Sequence, residues 1–149
     1  MTSKALVNDF ISQKSFAIFG VSRGGQKFGN AAYRELKAKG YKVYAIHPEA
    51  ETLEGDRTYK DLASLPEKVD AIVTVIPPAQ TEKVVREAAA AGIKRVWMQQ
   101  GSESDAAIQF CKENSISEVH GECIMMYAVD TSFHHFHGWI WKLLGKAPK

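Results

Sequence analysis

Residues 69–101 read "VDAIVTVIPPAQTEKVVREAAAAGIKRVWMQQG", and this stretch decides the fold class. Residues 69–78 form the most apolar run of the chain and end at two prolines, as a strand buried on both faces does. Residues 79–92 carry apolar positions at helical spacing and stop at Gly92. Residues 94–101 return to a strand pattern that ends at Gly101. Strand, helix and strand in so short a span require a crossover, and crossovers of this kind are right-handed and join parallel strands.

The same alternation extends in both directions. A leading helix is expected over 3–13, where Ala5, Leu6, Val7, Phe10 and Ile11 fall on a helical period, followed by a strand over 15–21, "SFAIFGV". "NAAYRELKAKG" (30–40) reads as a helix with Asn30 as its N-cap and Gly40 as its stop. "YKVYAIHP" (41–48) is the second strand. Residues 49–60 are polar and read as a loop with at most a short extended piece. Residues 59–69 suggest a helical turn capped by Asp61. A helix follows over 102–114, with Ser102 or Ser104 capping it, and then a short strand over 116–121. The pattern predicts an α/β fold: a Rossmann-like, doubly wound parallel sheet of about five strands in a three-layer arrangement. Residues 1–130 form this domain, and residues 131–149 are expected to add a C-terminal amphipathic helix and tail.

Composition bounds the function. The chain has 149 residues, 45% hydrophobic and 24% charged, which suits one domain with a packed core. A formal net charge of +2 is too mild to argue for nucleic acid, and no apolar run reaches the roughly 20 residues that span a bilayer. The N-terminus lacks the pattern of a secretory signal, and Cys111 and Cys123 are too few for a disulfide framework. Cytoplasm is the expected compartment.

Doubly wound sheets bind ligands at the carboxyl ends of their strands, which directs attention to four loops. The first, within "AIFGVSRGGQKFGN" (17–30), fails both common phosphate-loop patterns. Ser22 occupies the place of the second glycine of G-x-G-x-x-G, and Gln26-Lys27 follow Gly25 where a Walker A loop needs Lys-Ser/Thr. Its physical content still favours an anion: flexible glycines, a helix start, the Ser22 hydroxyl, and the cations Arg23 and Lys27. The second loop has His47-Pro48 where an NAD-binding domain places an acid for the ribose, and Glu49 lies one step beyond. The third has the stiff lip Ile76-Pro77-Pro78, and the fourth offers Gln99, Gly101 and Ser102.

In order, these stretches resemble the CoA-binding domain family, the Rossmann-like module also found at the N-terminus of the succinyl-CoA synthetase α-subunit. The resemblance covers roughly residues 5–125, is most specific over Val69–Gly101, and is nearest to the stand-alone bacterial members. It implies a pocket for CoA or an acyl-CoA. Gly20, Val21, Ser22, Lys27, Phe28 and Asn30 would line the phosphate end, with Arg23 adding charge. His47 and Pro48 would flank the nucleotide, Ile76, Pro77, Pro78 and Thr81 would form the lip, and Gln99 and Gly101 would close the far side. Many relatives carry Cys-Pro where this chain has Cys123-Ile124. The synthetase's phosphorylated histidine belongs to a second domain, so its chemistry is not inherited. An NAD(P)-binding sensor or dehydrogenase-like domain is the alternative.

No catalytic set is evident. Cys123 with His120 lacks a third orienting group, although a thiol near a bound CoA would be placed for a mixed disulfide. In the tail, His134, His135 and His137 lack the further ligands a metal needs. Phe133, Phe136, Ile140, Leu143 and Leu144 form a stripe suited to packing on the domain or on a second subunit. The expected partner is a small-molecule CoA ligand, with no metal, nucleic acid or membrane span.

Overall fold

The computed structural model describes residues 3–128; the tail with its histidine cluster and apolar stripe lies outside them. Helix α1 (Lys4–Ile11) leads, capped by the Ser3 hydroxyl, which accepts the Leu6 N–H. Strand β1 (Ser15–Phe19) and helix α2 (Phe28–Ala38) follow, then β2 (Lys42–Ile46), a hairpin of β3 (Thr52–Leu53) and β4 (Asp56–Tyr59), and a 3-10 turn at Leu62–Ser64. Strand β5 (Ala71–Thr74), helix α3 (Pro78–Ala90), β6 (Arg95–Met98), α4 (Asp105–Glu113), β7 (Ser117–His120) and the short α5 (Met125–Ala128) complete the order.

The strands form one sheet in the order β3-β4-β2-β1-β5-β6-β7. All neighbours are parallel except β3 and β4. The sheet has seven strands rather than about five because residues 49–60 form the β3–β4 hairpin. Its two connecting residues, Glu54 (φ 53°) and Gly55 (φ 79°), both sit at positive φ, as a tight two-residue hairpin requires.

Alternate residues of each strand face opposite layers. Phe16, Ile18, Val43, Val73 and Trp97 pack with Phe10 of α1 and Leu36 of α2 on one side. Ala17, Phe19, Ile72, Val96 and Met98 pack with Val85 and Ala88 of α3 and Cys111 of α4 on the other. Phe10 stacks on Phe16 at 5.1 Å and meets Trp97 edge-on at 5.3 Å. The Rossmann-like, doubly wound architecture thus arises from strands apolar on both faces, covered by helices in two layers.

The helix starts refine the sequence expectations. α2 begins at Phe28, with Lys27 in the N-cap position and no side-chain cap; Asn30 is therefore two residues inside the helix. α3 begins at Pro78, where a missing N–H costs no helical hydrogen bond. Ser104 caps α4, and Asp61 caps the 3-10 turn.

Candidate functional site

Strand β1 lies between β2 and β5, and the chain leaves it for one side of the sheet and later returns to the other. That is the switch point at which doubly wound sheets open a crevice. A cleft of about 360 Å³ sits there, lined by Phe19, Gly20 and Val21 after β1, Ile46, His47 and Pro48 after β2, Lys60 after β4, Ile76 after β5, and Gln80, Lys83, Val84 and Glu87 of α3. Its size falls within the range of about 300–1,000 Å³ typical of small-molecule sites. The floor is apolar, from Phe19, Ile46 and Val84, and polar groups stand around it.

Two glycines bring the first loop this close to the sheet. A Cβ on Gly20, whose φ is +117°, would lie 2.1 Å from the Val75 carbonyl oxygen. A Cβ on Gly29 would lie 2.2 Å from the Gly20 carbonyl oxygen. Gly29 therefore permits the start of α2 to press against the end of β1, the role of the last glycine in a dinucleotide fingerprint. Here it comes nine residues after Gly20, so the loop is longer than that fingerprint allows. The start of α2 carries the partial positive charge of a helix N-terminus.

Asn30 holds the loop. It is fully buried. Its Oδ1 accepts from the Ser22 N–H at 2.9 Å and from the Ser22 hydroxyl at 3.0 Å. Its Nδ2 donates to the Ser22 carbonyl at 2.8 Å and to Glu54 Oε2 at 2.7 Å. Arg34 donates to the same Glu54 oxygen at 2.9 Å and to the Gly25 carbonyl at 3.2 Å. Burial works to raise the Glu54 carboxyl, but the hydrogen bonds from Asn30 and Arg34 prevail and hold it below its ordinary value. A second depression, between Ser22-Arg23 and residues 49–55, lies on this side. Across it Arg23 reaches Glu49 at 3.8 Å, an exposed pair of little energetic weight.

The other predicted residues divide into those on the cleft and those behind it. Gly20, Val21, His47, Pro48 and Ile76 line it. Lys27 and Arg23 are exposed on the adjoining loop, while Phe28 is buried in the core. His47 Nδ1 accepts the N–H groups of Glu49 and Ala50, at 3.1 and 2.9 Å, which places the ring proton on Nε2 as a donor. Pro77 and Pro78 are exposed at the start of α3.

Thr81 is fully buried, and its hydroxyl donates to the Ser102 carbonyl at 2.5 Å. Ser102 in turn contacts the Thr74 hydroxyl at 2.8 Å, fastening α3 to the ends of β5 and β6. Gln99 turns into the core, where its Oε1 accepts the Ile124 N–H at 3.0 Å and its buried Nε2 has no geometric hydrogen-bond partner among the described residues. Gly101, at φ +96°, is exposed and donates its N–H to Glu103.

Sequence reasoning missed Phe19, Gly29, Ile46, Lys60, Gln80, Lys83, Val84 and Glu87. The α3 members share one helical stripe at positions 80, 83, 84 and 87, a periodicity that could have found them. Lys60 carries no such signal, because the polar stretch 49–60 does not mark β4 as a strand of the sheet.

The remaining reactive groups are withdrawn. Cys111 and Cys123 are both buried and free. Burial, with help from Glu118, pushes the Cys111 thiol up to about 12. Burial also raises the Cys123 thiol, against the opposing pull of the Gln99 amide and the N–H groups of Met125 and Met126. His120 Nδ1 pairs with Glu118 Oε1 at 2.6 Å.

A family model described as "CoA binding domain" matches residues 14–128. The chain belongs to the CoA binding domain family. Among curated relatives, the ADP-forming acetate–CoA ligase of Methanocaldococcus jannaschii is 30% identical over 106 residues, 71% of this chain and 15% of the ligase. The α subunit of ADP-forming acetate–CoA ligase II from Pyrococcus furiosus is 27% identical over 92 residues, 61% of this chain and 20% of that subunit. This CoA binding domain therefore spans a small part of those ligases. Among solved structures, a conserved hypothetical protein from Pyrococcus furiosus is similar with a TM-score of 0.72 and 34% identity, over 76% of this chain and 97% of that one.

Proposed function

We propose that the cleft holds CoA or an acyl-CoA and that the domain binds this ligand without transforming it. The observation that carries the reading is the meeting, at the switch point, of an apolar cleft with a helix start flanked by the exposed cations Arg23 and Lys27. The pyrophosphate sits against the first turn of α2, contacted by Ser22, Arg23 and Lys27 and by the backbone from Gly20 to Gly29. Base and pantetheine arm lie along the apolar floor between Pro48 and the Ile76-Pro77-Pro78 lip, with His47 Nε2–H as a donor. Phe28, Asn30 and Thr81 serve from behind by fixing the loops, whereas Gln99 and Gly101 lie away from the cleft.

Family membership supports the CoA part of this reading. The buried, raised thiols support holding over reacting, since a thiolate is the nucleophile and burial suppresses it. The acetate–CoA ligases are much longer than this domain, so their acid-activating chemistry forms no part of the proposal.

Calorimetry of the purified protein with CoA, acetyl-CoA, NAD and NADP tests it. CoA and acetyl-CoA are expected to bind and NAD not to. Lys27→Ala should weaken CoA by about 1–3 kcal/mol, as expected for losing a hydrogen bond to a charged group. Clear binding of NADP with none of CoA would overturn the reading.

A further inference from the structure

We infer that Glu54, on the β3–β4 hairpin, is a positioning residue of the ligand loop: through Asn30 and Arg34 its carboxylate holds the loop's carbonyl oxygens turned away from the ligand. This inference rests on the CoA reading, which sets the pyrophosphate against this loop and the start of α2.

A loop that holds an anion must face it with N–H groups, because a carbonyl oxygen turned toward a phosphate repels it. Two carbonyls of the stretch from Ser22 to Gly25 are taken by donors of α2. The Ser22 carbonyl accepts from Asn30 Nδ2 at 2.8 Å, and the Gly25 carbonyl accepts from Arg34 Nη1 at 3.2 Å. Both donors share one further acceptor, Glu54 Oε2, at 2.7 Å from Asn30 Nδ2 and 2.9 Å from Arg34 Nη1. A single carboxylate oxygen thus anchors both ends of the stretch. Asn30 is fully buried, so loss of this acceptor would leave one of its amide hydrogens buried without a partner.

The backbone of Glu54 does not account for a glutamate at this position. At φ 53° it is the first of the two hairpin residues, where Asn, Asp or Gly is favoured and a longer side chain is strained. The side chain that the turn disfavours is the one that reaches Asn30 and Arg34. Electrostatics points the same way. An acid close to a pyrophosphate weakens binding by its charge, so its contribution to binding must come through the donors it holds.

Calorimetric titration of CoA into the wild type, Glu54→Ala, Glu54→Gln and Asp56→Ala tests the inference. Asp56 ties the same hairpin to α2 through Tyr33 and Lys37, with the same charge but no bond to those two donors. Glu54→Ala should weaken CoA at least tenfold, as loss of a supporting partner does at other ligand sites. Removal of the charge alone would tighten it. Glu54→Gln keeps an oxygen that can accept from both donors and should stay within about threefold of wild type, as should Asp56→Ala. Arg34→Ala and Lys37→Ala, at exposed side chains of equal charge, repeat the comparison should Glu54→Ala not fold. Arg34→Ala should then lose at least threefold more than Lys37→Ala. Wild-type affinity in Glu54→Ala, an equal loss in Glu54→Gln or Asp56→Ala, or equal losses in Arg34→Ala and Lys37→Ala would overturn this inference and leave the CoA reading standing. Failure of the wild type to bind CoA would overturn both.

Discussion

Gly29 shows how much one missing methyl group carries. Its hypothetical Cβ falls 2.2 Å from a backbone oxygen rather than from a side chain that can swing away. Gly29→Ala must therefore push α2 off the end of β1. The expected loss is about 2–4 kcal/mol of stability by urea denaturation, in the range of overpacking at a rigid site. Gly24→Ala, four residues after Gly20 in the same loop, is the control. A Cβ there meets nothing within 4 Å, and its effect should stay within about 0.5 kcal/mol. Equal effects would mean that the close approach is not rigid. The expectation at Ser22, Arg23 and Lys27 rests on residue type alone, because hydroxyl and cationic residues near glycines favour an anion. Asn30 was placed at the right loop but in the wrong position. Asparagine is a strong N-cap type, yet here it lies within the first turn and spends its amide on Ser22 and Glu54. That pairing depends on Glu54, which is 24 residues away, and no local pattern reveals it.

At the scale of elements, the β3–β4 hairpin is fastened to α2 by two carboxylates. Glu54 accepts from Asn30 and Arg34, and Asp56 accepts from Tyr33 at 2.7 Å and from Lys37 at 2.6 Å. The hydrogen bonds from Lys37 and Tyr33 hold the Asp56 carboxyl below its ordinary value, as those from Asn30 and Arg34 hold Glu54. Burial and the Asp56 hydrogen bond push the Tyr33 phenol up, so it stays a donor across the neutral range. Both carboxyls are lowered in the folded state. Their stabilisation is thus complete above the unfolded carboxylate pKa of about 4 and is lost as pH falls through the folded values. Thermal melts at pH 7 and pH 3 should show a smaller acid-induced drop in Tm for the Glu54→Gln, Asp56→Asn double variant than for the wild type. An unchanged drop would place the acid sensitivity elsewhere.

The hairpin was also the element least legible in advance. Strands β1, β5 and β6 announce themselves by apolar runs, and the helices by spacing and glycine stops. β3 has only two residues, β4 reads "DRTY", and the turn between them uses Glu-Gly rather than the familiar Asn-Gly or Asp-Gly. Missing β4 concealed Lys60, because a residue's place on the sheet edge is known only once its strand is.

For the molecule as a whole, strand order turns scattered residues into one site. Loops from positions 20, 46, 60 and 76 converge because β4, β2, β1 and β5 are parallel neighbours with their carboxyl ends on one edge. The opposite end of the same order sends Gln99 and Cys123 into the core, away from the cleft. Backbone amide shifts on addition of CoA to labelled protein locate the ligand residue by residue and so decide whether it occupies this cleft. The largest shifts are expected at Gly20, Val21, Ser22, Gly29, His47, Lys60 and Lys83, with small ones along α4 and α5. Shifts centred instead on Glu118–Tyr127, or none at saturating CoA, would contradict it.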